Sequence, residues 1–509
     1  MNSPLNGHSD SYFNHPGAVL AKALTGWPWA ALLIPLAACL LEARGAVKLW
    51  EHDDGSAGTG GPTIFDSSGG VIVLGSSGTN QFCARHAGAD GGALWKSIDN
   101  RHVSGLGLDH RGDLVVTGSI EFQTNGTYVS EMFTAKRSAT NGSILWESRL
   151  GDGTTGLAVA VDTNENVIAA GHLASIQVLL AKYRGADGQL AWQRRVATPN
   201  GGRAAAHWVA VDKEQNAIIG GSLDDNFFVG KYSGSDGAPL WEKQVPVNSR
   251  WYAPCVMGKV DSQGDVIATG GSFQEIYTAK FRGHDGSQVW ERKLSVSQRD
   301  NASATLMEMD VHGNAVVTGT YSDYLNGEIG TALVVKYGAN DGVTIWERRI
   351  KKQLIRLLPV GLVVDTAQDV VLGTREQALG NAVAPSRSLL KLDGMDGTTL
   401  WEMPLGDFLP LGIAVGSDGR IAVTGQQTNA VTMLLQDEPR ARLTVLSAKN
   451  AGFHVKWPEF HHGLRLEVQD SSAGISSNGW TAVSNRGNNS VAVPIQAGSK
   501  AGFFRLVHP

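Results

Sequence analysis

The chain has 509 residues, which is enough for one large repeat fold or several domains, and its 63 glycines indicate many tight turns. Its net charge is −5, with acidic and basic residues interspersed along the sequence. This composition excludes the basic surface that nucleic-acid binding requires, so we expect no nucleic-acid partner.

The first 45 residues have the pattern of an export signal. Lys22 precedes an apolar run at residues 27–41, which is short for a membrane span but typical of a signal peptide. Cleavage after Gly45 would leave a mature chain without a membrane span. A second interpretation is a lipobox-like sequence at residues 36–39, which would place a lipid anchor on Cys39. Either route predicts a protein that is secreted, periplasmic or on the cell surface.

A tryptophan recurs about every 50 residues, the range of propeller blades. Seven of the eight copies follow an Asp-Gly or Asn-Gly turn by five residues, as Trp241 follows Asp236. Each repeat also contains three short apolar segments separated by turn residues, which predicts one four-stranded antiparallel sheet per repeat. The eight tryptophans are Trp50, Trp95, Trp146, Trp192, Trp241, Trp290, Trp346 and Trp401.

The two ends of the repeat region each supply part of one further unit. Residues 410–437 contain three strand patterns without a tryptophan strand, and residues 46–52 contain an isolated tryptophan strand. Joining them completes an eighth sheet and closes the ring, which removes exposed sheet edges. We therefore predict an all-β fold, an eight-bladed β-propeller over residues 46–437 closed by an N-terminal strand.

The repeat stops near residue 438, and residues 438–509 have short alternating segments. About 70 residues of short strands predict a small C-terminal β-sandwich-like domain. Anchoring, sorting and binding all remain open as its role.

The pattern Gly-Ala-Asp-Gly-x-x-x-Trp at residues 185–192 resembles the repeat of PQQ-like eight-bladed propellers. That family includes quinoprotein alcohol dehydrogenases and non-enzymatic outer-membrane assembly lipoproteins, so the resemblance implies a fold without choosing an activity. In the family the repeated tryptophan packs between blades. The resemblance therefore implies that the eight tryptophans form a structural girdle.

The predicted first strands of the repeats end in an aspartate, except in the eighth repeat, where Gly416 takes its place. An aspartate can accept hydrogen bonds from the backbone of its own turn, so we interpret the series as structural and expect no metal. The aspartates are Asp66, Asp109, Asp162, Asp212, Asp261, Asp310 and Asp365.

No catalytic residue is predicted. The sequence contains no G-x-S-x-G, C-x-x-C-H or H-E-x-x-H motif, and the repeat histidines lack metal-ligand spacing. The quinoprotein dehydrogenases carry adjacent cysteines over the quinone and a calcium ion held by carboxylate and amide side chains. Here Cys83 and Cys255 fall in the first and fifth repeats, and we expect two buried free thiols. The histidines considered are His102, His110, His172, His207, His284 and His312.

The variable loops are predicted to lie together on one face, because the short repeated turns occupy the other. An arginine recurs in the links between blades, and such arginines would form a positive funnel for an anionic ligand if they point toward the axis. Solvated loop charge is the alternative. Trp251 and Tyr252 lie in the same loops, where they could stack on a sugar or contact a protein. The arginines are Arg101, Arg203, Arg250, Arg299 and Arg356.

Lys259 and Glu308 occupy matching first-strand positions in repeats five and six and could pair near the axis. We expect a monomeric, non-catalytic binding or scaffold propeller, without a cofactor, that recognises a protein or an acidic glycan on its variable-loop face. The alternative is a quinoprotein dehydrogenase that depends on PQQ and calcium.

Overall fold

The structure is a computed structural model with two units, residues 1–46 together with 438–509, and Val47–Asp437. It describes residues 21–24, 46–437 and six strands of the C-terminal region. The gaps within 46–437 are residues 79, 100, 125–126, 152, 247–253, 273–274, 296–300, 324–327, 352–354 and 379–386. Most of the predicted export signal, including Cys39, lies outside the described residues.

Strands β2 to β32 of Val47–Asp437 form eight four-stranded antiparallel blades in chain order, as predicted. Blade 1 comprises residues 58–65 of β2 (Val47–Phe65), β3 (Val71–Ser77), β4 (Asn80–His86) and β5 (Ala93–Asp99). Blade 2 comprises β6 (His102–Leu108), β7 (Leu114–Thr124), β8 (Thr127–Arg137) and β9 (Ile144–Leu150). Blade 3 comprises β10 (Thr154–Val161), β11 (Val167–Leu173), β12 (Gln177–Tyr183) and β13 (Leu190–Ala197). Blade 4 comprises β14 (Ala205–Val211), β15 (Ala217–Leu223), β16 (Asn226–Tyr232) and β17 (Pro239–Val245).

The second half of the ring repeats this order. Blade 5 comprises β18 (Cys255–Val260), β19 (Val266–Ser272), β20 (Glu275–Phe281) and β21 (Gln288–Ser295). Blade 6 comprises β22 (Asn301–Met309), β23 (Ala315–Asp323), β24 (Glu328–Tyr337) and β25 (Thr344–Ile350). Blade 7 comprises β26 (Ile355–Val364), β27 (Val370–Ala378), β28 (Arg387–Leu392) and β29 (Thr399–Pro404). Blade 8 comprises β30 (Leu409–Val415), β31 (Arg420–Gln426), β32 (Asn429–Gln436) and residues 47–57 of β2.

The ring closes through β2, a single strand that belongs to two blades. Its first part pairs with β32, from Val47 opposite Gln436 to Ala57 opposite Asn429. Its second part pairs with β3, ending at Phe65 opposite Val71. The predicted closure by an N-terminal strand is confirmed, and the closing strand continues directly into blade 1.

Each repeated tryptophan is buried, and its indole Nε1 donates a hydrogen bond to the following blade. Trp192 of blade 3, for example, donates to the Gly234 carbonyl of blade 4 at 3.1 Å. Gly237, with φ of 71°, packs on the same indole, and a Cβ there would lie 2.7 Å from the ring. The Asp-Gly turn of one repeat therefore receives the tryptophan of the preceding repeat. Truncating such a buried side chain typically costs about 3–5 kcal/mol.

In blades 1 to 7 the aspartate at the end of the first strand forms a buried ion pair with a cation on the third strand. Asp212 Oδ1 accepts from the Asn216 backbone N–H at 2.8 Å, and Oδ2 lies 2.6 Å from Lys231 Nζ. Burial opposes ionisation of Asp212, but the hydrogen bonds from Lys231 and Asn216 outweigh it and lower the pKa. The third-strand cations are Arg85, Lys136, Lys182, Lys231, Lys280, Lys336 and Lys391.

Most of these cations also reach the next blade. Lys231 Nζ donates to the Gly283 carbonyl at 2.8 Å, and Trp241 Nε1 donates to the same oxygen at 3.1 Å. One carbonyl thus joins two side chains of the preceding blade. The turns of the aspartates were predictable from the sequence, but their cations were not, since pairing across strands has no fixed spacing in the sequence.

The C-terminal region contains β33 (Thr444–Ala448), β34 (Gly452–Lys456), β35 (Arg465–Asp470), β36 (Thr481–Val483), β37 (Ser490–Pro494) and β38 (Ala501–Val507). They form two antiparallel sheets, β33-β34-β37 and β1-β38-β35-β36, where β1 is Ala21–Leu24. Packing of these sheets as a sandwich stays a prediction. Across the described part of the chain, no helix has the length and apolarity that a membrane crossing requires.

Candidate functional site

The two ends of each blade differ in their connections. In blade 2 the backbone N–H of Ala139, in the third turn, donates to Asp113 in the first turn at 2.9 Å. Gly283 and Asp265 make the same contact in blade 5. The short repeated turns therefore share one end of the blades, and the second-to-third hairpins lie at the other, which we call the loop face.

Two blades have described second-to-third hairpins that extend beyond the seven-residue strands typical of blade 4. In blade 2, β7 and β8 have 11 residues each and pair as far as Thr124 opposite Thr127. The hairpin of blade 6 pairs as far as Asp323 opposite Glu328, and in blade 7 the first and second strands pair as far as Ile355 opposite Ala378. Phe122 on the blade 2 hairpin is 36% exposed between exposed Glu121 and Gln123. The loop face thus carries a projecting hairpin with an exposed aromatic side chain.

Arg101, the first of the candidate funnel arginines, is held by carboxylates of blades 1 and 2. Its guanidinium pairs with Asp99 and Glu147, and it lies 4.5 Å from the centre of the Phe133 ring. The Arg101 side chain is 10% exposed. Its charge is therefore already neutralised within the fold.

The other candidates are distributed around the ring. Arg203, in the link between blades 3 and 4, is exposed, and its carbonyl accepts from the Asp225 backbone N–H at 3.1 Å. Arg356 begins blade 7 and is half-buried, with Gly330 packed against its aliphatic stem. The remaining candidates, Arg250, Arg299, Trp251 and Tyr252, lie outside the described residues.

The inner strands are the first strands of the blades, and they carry few charges. Lys259 Nζ on β18 lies 3.1 Å from Glu308 Oε2 on β22, with the side chains 40% and 28% exposed. The pair considered from the sequence is therefore present between neighbouring inner strands. Arg356 is the other charged residue within the described inner strands.

A quinone with a calcium ion requires carboxylate ligands near the axis. Glu308 is the one carboxylate within the described inner strands, and Lys259 already engages it. Cys83 and Cys255 are buried free thiols in blades 1 and 5, and burial raises the pKa of each to about 12. The residues that the structure describes therefore do not fit PQQ and calcium.

A separate polar cluster joins blades 8 and 1. His52 and Asp54 lie on the closing part of β2 and His86 ends β4, with one ligand atom from each within 4.8 Å of the others. The two imidazole centroids are 4.4 Å apart, and Asp54 Oδ1 lies 3.2 Å from Lys96 Nζ. The cluster could not be predicted from the sequence, because its members come together only when blade 8 closes against blade 1.

No family model and no curated protein matches the sequence. Among solved structures, the chain is similar to BamB from Moraxella catarrhalis, with 16% identity, TM-score 0.49, and coverage of 78% of this chain and 99% of that one. It is also similar to quinohemoprotein alcohol dehydrogenase ADHIIG from Pseudomonas putida HK5 and the enzyme from Comamonas testosteroni. The two enzymes are 10% and 11% identical to this chain, and both TM-scores are 0.51. Each match covers 80% of this chain, together with 78% of the first enzyme and 79% of the second.

The chain shares the β-propeller fold of these two dehydrogenases. At these identities the similarity shows the architecture alone, because one propeller fold supports unrelated activities. The activity and the partner of this chain have to be argued from its own residues.

Proposed function

We propose that the chain is a monomeric, secreted or envelope-associated scaffold propeller that binds a protein through its loop face and performs no catalysis. The observation that carries this proposal is the extended β7–β8 hairpin, which presents Phe122 between Glu121 and Gln123. Exposed aromatic residues surrounded by polar side chains are typical anchors of protein interfaces.

The inner strands support a binding role over oxidation. Their described charges are few, and Lys259 and Glu308 neutralise each other. The buried thiols of Cys83 and Cys255 stay protonated at neutral pH because their pKa values are about 12. A dehydrogenase would need ligands and acid–base groups that these strands do not supply.

A protein partner is favoured over an acidic glycan. A glycan funnel would depend on free arginines, and Arg101 is already paired with Asp99 and Glu147. Arg203 and Arg356 belong to different blade links. The extended hairpins instead supply contact area, on which protein interfaces depend.

Site-specific photo-crosslinking of the full chain in an envelope extract tests the proposal. A crosslinker at Phe122 on the loop face should give one defined protein adduct, and one at Met395 should give none. Met395 is 82% exposed on the turn face and is the matched control. Equal labelling at both positions, or none at Phe122, would refute loop-face binding.

The alternative function has its own test. The purified chain is titrated with PQQ and calcium, and dye-linked alcohol oxidation is measured. We expect neither stoichiometric binding nor turnover. Stoichiometric binding together with turnover would replace the scaffold proposal by the dehydrogenase.

A further inference from the structure

Neighbouring blades meet through three recurring positions. They are the girdle tryptophan, the residue four positions after it, and the residue that follows the third-strand cation in the next blade. In five interfaces these positions form apolar clusters. The clusters are Trp146 with Leu150 and Tyr183, Trp192 with Val196 and Tyr232, Trp241 with Val245 and Phe281, Trp290 with Leu294 and Tyr337, and Trp346 with Ile350 and Leu392.

Two interfaces have polar residues at these positions. Between blades 1 and 2 they are Asp99 and Arg137, whose oxygen and nitrogen lie 2.6 Å apart, so both charges are satisfied. Between blades 8 and 1 they are Asp54 and His86, with His52 two residues after Trp50. At the second interface Asp54 Oδ1 pairs with Lys96 at 3.2 Å, whereas His86 has no such partner among the described residues.

His86 is fully buried, and among the described residues neither of its ring nitrogens forms a hydrogen bond of normal distance and angle. Asp54 Oδ2 is also buried without a partner, and the Asp54 side chain is 2% exposed. Buried polar atoms are nearly always paired, because an unpaired one loses its hydration without compensation. The buried imidazole of His86 and Oδ2 of Asp54 therefore have lone pairs that no described residue uses, beside the half-buried imidazole of His52.

We propose that His52, Asp54 and His86 bind one Zn²⁺ ion, through one nitrogen of each histidine and Oδ2 of Asp54, with water in the fourth position. Imidazole and carboxylate are ordinary zinc ligands, and sites with three protein ligands keep one position open. The His52 side chain is 29% exposed, which gives the ion access from solvent.

Binding requires a small contraction of the cluster. Neighbouring ligand atoms of a tetrahedral zinc site lie about 3.3 Å apart, and the atoms here lie within 4.8 Å of one another. His52 can make this movement because it is the most exposed of the three side chains. Lys96 orients the carboxylate, since its Nζ binds Asp54 Oδ1 and the Asp54 carbonyl, at 3.2 and 3.0 Å, and leaves Oδ2 free.

The ion would link the closing part of β2 in blade 8 to the end of β4 in blade 1. Metal affinity becomes folding free energy when the ligands come together only in the folded state. Zinc should therefore stabilise the ring at the interface where its two ends meet.

Zinc titration of the chelator-treated full chain by calorimetry tests the proposal, with Co²⁺ absorbance as a second readout. We expect one Zn²⁺ per chain at this site, a tetrahedral Co²⁺ spectrum, and a higher melting temperature with zinc. His86→Phe introduces the residue found at the equivalent position of blade 5, Phe281. His52→Ser introduces the residue found two positions after the repeated tryptophan of blade 1, Ser97. Both variants should therefore fold. Loss of a ligand should weaken binding at least about 100-fold, more than the loss of an outer partner.

His284→Ala is the matched control, because His284 is 74% exposed beside Asp285 in a turn of blade 5. Its zinc affinity should equal that of the wild type. The proposal is overturned if the wild type binds no zinc, or if folded His86→Phe and His52→Ser chains keep the wild-type affinity and Co²⁺ spectrum.

Discussion

Lys231 Nζ lies 2.6 Å from Asp212 Oδ2 inside blade 4, with both side chains buried. Blade 8 has neither partner of this pair. Gly416 occupies the aspartate position. Leu434 occupies the cation position, because it lies opposite Trp50 in the sheet as Lys231 lies opposite Trp241. The two charges are absent together, as the cost of burying one unpaired charge requires.

Replacing Lys231 by Leu should therefore destabilise the propeller by about 3–5 kcal/mol, because Asp212 is left buried without its cation. The double variant Lys231→Leu with Asp212→Gly reproduces blade 8, and should lose less than the sum of the single variants. Urea unfolding of the four chains measures the coupling. Lys259→Ala, which breaks the partly exposed pair with Glu308, is the control and should lose under about 1 kcal/mol. Equal losses from Lys231→Leu and Lys259→Ala would contradict this account.

Gly237→Ala should lower the melting temperature more than Gly201→Ala. Both glycines have positive φ, 71° and 77°, so both substitutions carry the same backbone strain. A Cβ at Gly237 also meets the Trp192 ring at 2.7 Å, whereas nothing lies within 4 Å at Gly201. The difference isolates the steric contact and should amount to about 1–3 kcal/mol by differential scanning calorimetry. Equal shifts in melting temperature for the two variants would show that the Trp192 ring moves aside without a loss of stability.

A chain that begins at Gly58 should lose the closure of the ring. It lacks the residues that pair with β32 and the buried Trp50, so the edge of β32 becomes available for association. We expect a loss of at least about 3–5 kcal/mol from Trp50 alone, with oligomers on size-exclusion chromatography. A chain that begins at Val47 keeps β2 and serves as the control. If the shorter chain stays monomeric with an unchanged melting temperature, closure by β2 is not needed for stability.

Acid should destabilise the propeller below about pH 4. Hydrogen bonds and the paired cations overcome burial and hold the pKa values of Asp66, Asp162, Asp212 and Asp310 below the ordinary 3.8. A depressed folded-state pKa contributes stability that is present above the unfolded value and is lost as the pH falls through the folded value. These groups should therefore not change the urea midpoint between pH 7 and about 5. At pH values under about 4 the midpoint should fall.

The loss should persist in high salt, because buried pairs are screened less than exposed ones. A urea midpoint that stays constant under acid would contradict the prediction. A loss that salt removes would assign the effect to exposed pairs such as Arg184 with Asp187.

The repeat architecture was predictable because local chemistry specifies it. The Asp-Gly turn and the tryptophan five residues later recur visibly, and each has a local reason in turn geometry or burial. The pairing of Asp212 with Lys231 was not predictable in the same way, since it depends on strand register. The continuity of β2 was also missed, because the sequence analysis treated residues 46–52 as an isolated strand.

The candidate site was harder to predict because side-chain direction depends on distant partners. The recurrence of an arginine in the links between blades suggested a funnel at the axis, yet Glu147, 46 residues later in the chain, helps to hold Arg101 between blades 1 and 2. The His52, Asp54 and His86 cluster likewise has no sequence spacing typical of a metal site. Its members meet only when the two ends of the ring join.

The shared strand β2 also sets the order of events during synthesis. Asp53 contacts Asn429, which lies 376 residues later, so the closing segment leaves the ribosome long before its partner strand exists. At about 5–20 residues per second, that interval is about 20–75 s. For this time the segment that carries Trp50 has no permanent neighbour, and a holding chaperone or an export factor has a defined stretch of chain to protect.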